Sequence, residues 1–137
     1  MNIIGVETKI KKGVLLFLGF LTIFDTYTSY VGTVSILGDS NFSKGFSIIF
    51  ALGISSMLIS TVGVFEYGKY NGGFGKILIL TWWIFFIYDI YTSWKGTLYL
   101  LYENSSNLTD EQFLILSTTT IFISTSSIVI SNIVANR

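Results

Sequence analysis

Four long apolar stretches dominate the chain, at Val14 to Leu37, Phe46 to Phe65, Ile77 to Leu101 and Phe113 to Val134. Each reaches the roughly 20 residues that a helix needs to cross the hydrocarbon core of a bilayer. Short segments rich in Gly, Asn, Ser and charge separate them, at Gly38 to Gly45, Tyr67 to Lys76 and Tyr102 to Gln112, as turns between antiparallel helices do. The unbroken runs argue against a β-barrel, whose strands of about ten residues alternate in polarity. The pattern predicts an all-α, multi-pass integral membrane protein: four transmembrane helices in a single membrane domain over residues 1–137.

Charge sets the orientation. Lys9, Lys11 and Lys12 precede the first span, Lys69 and Lys76 flank the second connection, and Arg137 ends the chain. The other side carries Lys44 with Asp39, Glu103, Asp110 and Glu111. The positive-inside rule then puts both termini in the cytoplasm. The basic flank of the first span is signal-like, but the apolar run is too long and lacks a small-residue cleavage site, so the span is expected to be retained. Trp82, Trp83, Tyr67 and Tyr70 are expected at the inner interface and Tyr99 and Tyr102 at the outer one. Asn41-Phe42-Ser43, Asn104-Ser105-Ser106 and Asn107-Leu108-Thr109 match the glycosylation acceptor pattern on the expected outer side, a short match that arises often by chance.

Only 12% of residues are charged, about half the roughly 25% of an average soluble domain, and net charge is zero. No basic run suggests a nucleic-acid partner. The chain has no cysteine and no histidine, so a disulfide framework, a Cys/His or Ser/His/Asp centre and a zinc cluster are all ruled out. No catalytic residue, metal ligand or cofactor is expected. Tyr70 to Lys76 approaches a phosphate-loop pattern, but Tyr70 stands where the first Gly belongs and Ile77 replaces the hydroxyl residue. This segment reads as a flexible turn.

An internal repeat changes the picture most. Leu21 to Leu37 (LTIFDTYTSYVGTVSIL) aligns without a gap on Phe85 to Leu101 (FFIYDIYTSWKGTLYLL), with eight of 17 positions identical. Identity includes Asp25/Asp89, Thr28/Thr92, Ser29/Ser93, Gly32/Gly96 and Thr33/Thr97, which apolar composition alone would not align. The chain is therefore expected to be two copies of one helical hairpin. Spans one and three then cross in the same direction, which makes the repeats parallel with a pseudo-two-fold axis along the membrane normal.

Asp25 lies eleven residues into the first span, about 16 Å deep at 1.5 Å per residue, near the middle of a core of about 30 Å. Asp89 has the matching depth in span three. A carboxylate there is costly, so it should face the bundle interior, a partner or water. With Thr28, Ser29, Thr92 and Ser93, the two acids form either an ion path or an interhelical polar contact. Gly32 and Gly96 continue the same helix faces. Lys95, six positions beyond Asp89, is expected to snorkel to the outer interface.

Two further seams of small residues are expected to pack helices: Ser117, Thr120, Ser124, Ser127 and Ser131 in span four, and Gly53, Ser56, Ser60 and Gly63 in span two. The pattern differs from the duplicated ring hairpins of rotary ATPases, which place the acid on the hairpin's second helix. It differs too from small four-span multidrug transporters, which place it near the start of the first. The expected function is a small self-associating membrane protein, either a channel or ion-conducting subunit built around the carboxylate pair or a non-catalytic structural or assembly subunit of a larger membrane complex. Its expected partners are the lipid bilayer, further copies of itself or other membrane subunits.

Overall fold

The computed structural model describes residues 3–102 and 107–136, which form α1 (Ile3–Leu37), α2 (Asn41–Ile59), α3 (Thr61–Tyr70), α4 (Gly72–Tyr102) and α5 (Asp110–Ala135). No strand occurs among the described residues. α1, α2, α4 and α5 are long and apolar enough to cross a membrane. The acceptor pattern at Asn104-Ser105-Ser106, Glu103 and Arg137 lie outside the described residues.

Burial is inverted relative to a soluble domain. Among the described residues, buried polar side chains outnumber buried apolar ones by 18 to nine, while Leu, Ile and Phe side chains cover the exterior. Water would penalise such a surface, whereas lipid solvates it and leaves the Ser, Thr and Asp groups to satisfy one another inside. Small side chains also let helix backbones approach closely, and the interior of this bundle is built from them.

The helices outrun the apolar stretches. α1 begins at Ile3 rather than near Val14, because Glu7 and Lys11 at i, i+4 and the other good helix formers of this segment continue the helix into the polar phase. Its 35 residues make it about 52 Å long, well beyond a core of about 30 Å. The first connection shrinks to residues 38–40, where Gly38 takes a left-handed φ of 100° and the Ser40 hydroxyl caps α2 by accepting from the Ser43 N–H. α5 opens with a capping box in which Thr109 and Gln112 bond reciprocally. The hydroxyl of one glycosylation match, Thr109, thus serves as a helix cap, and Ser43 of another is buried.

The second span is not one continuous helix. It breaks at Ser60, where the Thr61 hydroxyl takes over the Leu58 carbonyl and the Val62 N–H turns to Ser131 Oγ on α5 at 3.1 Å. Neighbouring hydroxyls commonly satisfy backbone groups freed by such a break within a membrane. Trp82 Nε1 donates to Thr61 Oγ1 at 3.0 Å, and the indole packs against Phe65 and Phe86. Trp82 is therefore a core residue at the break, 4% exposed, and not a member of the interfacial belt expected for it. Trp83 beside it is exposed.

The expected flexible turn at Tyr70 to Lys76 is mostly helix. Only Asn71 separates α3 from α4, and Gly72 supplies the left-handed φ of 58° that reverses the chain there. A Cβ on Gly75 would sit 2.3 Å from the Gly68 carbonyl oxygen, so these two glycines let the antiparallel helices touch backbone to backbone. Lys69 and Lys76 flank the corner in sequence.

Candidate functional site

α1 buries Leu18, Thr22, Asp25, Ser29 and Gly32, at alternating spacings of four and three, with Thr28 and Thr33 beside them. This stripe faces α4, which buries Asp89, Thr92, Ser93, Gly96 and Thr97. The helices meet most closely at the two glycines. A Cβ on Gly32 would lie 1.9 Å from the Thr92 carbonyl oxygen, and a Cβ on Gly96 would lie 1.9 Å from the Thr28 carbonyl oxygen. No side chain larger than hydrogen fits either position without parting the helices.

That contact brings both aspartates into the centre, at 1% and 0% exposure for Asp25 and Asp89. Ser29 Oγ donates to Asp89 Oδ1 at 2.6 Å, and Ser93 Oγ donates to Asp25 Oδ1 at 2.6 Å. The two serine oxygens are 2.9 Å apart. The contacts are reciprocal: each helix supplies one acid, one serine and one glycine to the other, at positions related by the 64-residue offset of the sequence repeat. Separations of 2.6 Å belong to the charge-assisted range of O–H···O bonds.

The cluster departs from symmetry at its edges. Ser124 on α5 adds a second donor to Asp25 Oδ1 at 3.2 Å. Ser124 also lies against Asp89, and on α2 Ser55 pairs with Thr26 at 2.6 Å. Asp89 Oδ2 is buried without a hydrogen-bond partner, as are the hydroxyls of Thr97 and Thr120. An unsatisfied buried polar atom costs roughly 1–3 kcal/mol, so the asymmetry has energetic weight.

Of the expected site residues, Asp25, Ser29, Asp89 and Ser93 come together directly. Thr28 and Thr92 are buried beside them, but their hydroxyls bond back to the Asp25 and Tyr88 carbonyls of their own helices at 2.9 Å. In the α5 seam, Thr120, Ser124, Ser127 and Ser131 are buried and Ser117 is half-buried. Within the chain the span-two seam packs on no helix: Gly53, Ser56, Ser60 and Gly63 are all exposed, and open space lies where a Cβ on Gly53 or Gly63 would stand. The packed face of α2 and α3 instead carries Ser47, Ala51, Ile54, Ser55, Leu58, Thr61 and Val64. Helical rotation decides this, since both faces have similar spacing and only one turns inward.

Further contacts that the sequence pattern does not single out lie near the site. Thr22 pairs with Ser126 across α1 and α5 at 3.1 Å, and Tyr88 OH lies 3.3 Å from Thr33 Oγ1. Thr22 was detectable in principle, because it stands three residues before Asp25 on the same helical stripe. Ser126 was not, because it sits beside the regular seam of its helix. Lys95 is half-buried and apart from the acids.

The arrangement binds helices through oxygen atoms and concentrates proton-carrying groups in one buried place. Neither aspartate lines any of the surface grooves described, such as that of about 500 Å³ between Ile23, Tyr27, Ile48 and Leu52. Among the described residues, no group of three or more His, Cys, Asp or Glu side chains converges as a metal site. No family model, curated protein or solved structure matches the chain.

Proposed function

We propose that this chain is a non-catalytic structural or assembly subunit of a membrane complex, held together by the Asp25/Asp89 cluster acting as an interhelical clasp. In this reading it comprises two parallel hairpins with both termini in the cytoplasm, and it associates with further copies or other membrane subunits. The observation that carries the reading is the reciprocal pair of 2.6 Å bonds, Ser29 to Asp89 and Ser93 to Asp25, made at the glycine contact with both acids buried. Side chains committed to each other in this way serve packing before passage. The exposed Gly53, Ser56, Ser60 and Gly63 face has no partner helix within the chain and is compatible with association to another subunit.

A second reading, an ion-conducting subunit, is favoured by one observation: the unpartnered Asp89 Oδ2 beside a row of hydroxyls. The two readings separate experimentally. For a clasp, Ser29→Ala/Ser93→Ala lowers unfolding stability by roughly 2–6 kcal/mol, since two buried acceptors lose their donors. Wild-type protein in liposomes then passes no ions. Flux through the wild type that Asp25→Asn/Asp89→Asn abolishes at unchanged assembly mass would overturn the clasp in favour of conduction.

A further inference from the structure

The oxygen chain between the two aspartates is one proton short if both are ionised. It runs from Asp25 Oδ1 through Ser93 Oγ and Ser29 Oγ to Asp89 Oδ1, with separations of 2.6, 2.9 and 2.6 Å. Three links need three protons, and each serine hydroxyl owns one. If Ser93 donates to Asp25 and Ser29 donates to Asp89, the 2.9 Å link holds two oxygens facing each other with lone pairs only. Neighbouring hydroxyls do not fill it. Thr92 Oγ1 is 3.4 Å from Ser29 Oγ and closer, at 2.9 Å, to the Tyr88 carbonyl. Ser124 Oγ donates to Asp25.

We propose that Asp25 and Asp89 together bind a single proton, which completes this chain and passes between the two acids through Ser29 and Ser93. The proposal rests on the clasp geometry described above and adds to it what the clasp carries. Ser93 and Ser124 donate to Asp25 Oδ1, while Asp89 Oδ2 has no hydrogen-bond partner although Ser124 and Asp25 both lie against Asp89. The proton has two end positions, and in the first it sits on Asp89. In that state Asp89 donates to Ser29, Ser29 to Ser93 and Ser93 to Asp25, and all three links are filled.

The transfer balances. The Asp89 O–H bond breaks as Ser29 gains that proton, Ser29 passes its own hydrogen to Ser93, and Ser93 passes its own to Asp25. One proton moves, the negative charge moves the opposite way, and both serines end with one hydrogen each. A second proton within the chain would set two donors against each other. The helices packed around the pair add no further charge to it: Asp25 and Asp89 face each other and the serines, with Ser124 from α5. α2 brings Ser55, already paired with Thr26, and the nearby phenol of Tyr88 on α4 lies against Thr33.

Solid-state NMR of the full chain in bilayers, labelled with carboxyl-¹³C aspartate, counts the proton in the intact protein at neutral pH. The label enters Asp25, Asp39, Asp89 and Asp110. The exposed pair is identified by Asp39→Asn and Asp110→Asn, which leave the cluster untouched. The expected result is one buried resonance at the carboxylic-acid position and one at the carboxylate position, moving toward each other on warming. Two buried carboxylates, or two buried acids, would overturn the single proton. Resonances that stay apart on warming would overturn the transfer, and averaging that persists in Ser29→Ala would overturn its route through the serines. The clasp fails separately, in the unfolding assay, because helices can be held by either protonation state.

Discussion

Replacing Gly32 by alanine tests the closest contact in the molecule. The new Cβ would stand 1.9 Å from the Thr92 carbonyl oxygen, whereas ordinary contact begins near 3.4 Å. Both helices present backbone there, so no flexible side chain can give way, and α1 and α4 must part by about 1.5 Å, the difference between those distances. The same movement would stretch the two 2.6 Å serine–aspartate bonds to roughly 4 Å, beyond hydrogen-bonding reach. Overpacking costs about 1–3 kcal/mol, and each buried group left unsatisfied costs a similar amount. Gly32→Ala should therefore destabilise the chain by roughly 3–9 kcal/mol, and Gly96→Ala, its reciprocal, by a similar amount. The double variant should cost less than their sum, because the first substitution has already parted the helices. Gly53→Ala is the control: its Cβ enters open space, and alanine is the better helix former by about 1 kcal/mol. Reversible unfolding in mixed detergent–lipid micelles, followed by circular dichroism, measures all four. A loss below about 1 kcal/mol for both Gly32→Ala and Gly96→Ala would refute the tight helix contact and the clasp built on it.

Other substitutions probe the break and the caps. Ser131→Ala removes the acceptor of the Val62 N–H, so stability should fall by about 1–3 kcal/mol and hydrogen exchange at the Val62 amide should accelerate; an unchanged exchange rate would mean that the break is satisfied in another way. Trp82→Phe keeps an aromatic ring against Phe65 and Phe86 but loses the bond to Thr61, an expected cost of about 1 kcal/mol above the change in packing, which a double-mutant cycle with Thr61→Val isolates. Thr109→Ala should cost about 0.5–2 kcal/mol and fray the first turn of α5, visible as loss of amide protection at Gln112.

The site was legible in the sequence to the extent that it repeats. Aligning two apolar helices on eight identical residues singled out Asp25, Ser29, Gly32 and their mates, and all of these meet in the centre of the bundle. The repeat also flagged Thr28 and Thr92, but it could not tell a hydroxyl aimed across the interface from one bonded back to its own helix. Both options suit a threonine in a membrane helix, and the helix rotation chooses. For the same reason the Gly53, Ser56, Ser60 and Gly63 seam looked equivalent to that of α5, although one faces out and the other in.

Hydropathy alone determined that there are four membrane-length helices and roughly where they lie, because the bilayer imposes a length and an apolar composition on any segment that crosses it. Tertiary structure decided what those patterns leave degenerate. It chose which small-residue face turns inward, broke the second span at Ser60 where Thr61 and Ser131 offered alternative partners, and closed the third-to-fourth helix corner to Asn71 through Gly68 and Gly75. It also brought Ser124 of α5 against the two acids and left Asp89 Oδ2 without a hydrogen-bond partner. In a lipid-facing bundle apolar side chains select no face, so rotation and register depend on which polar groups satisfy one another, a pairwise property that no single helix carries.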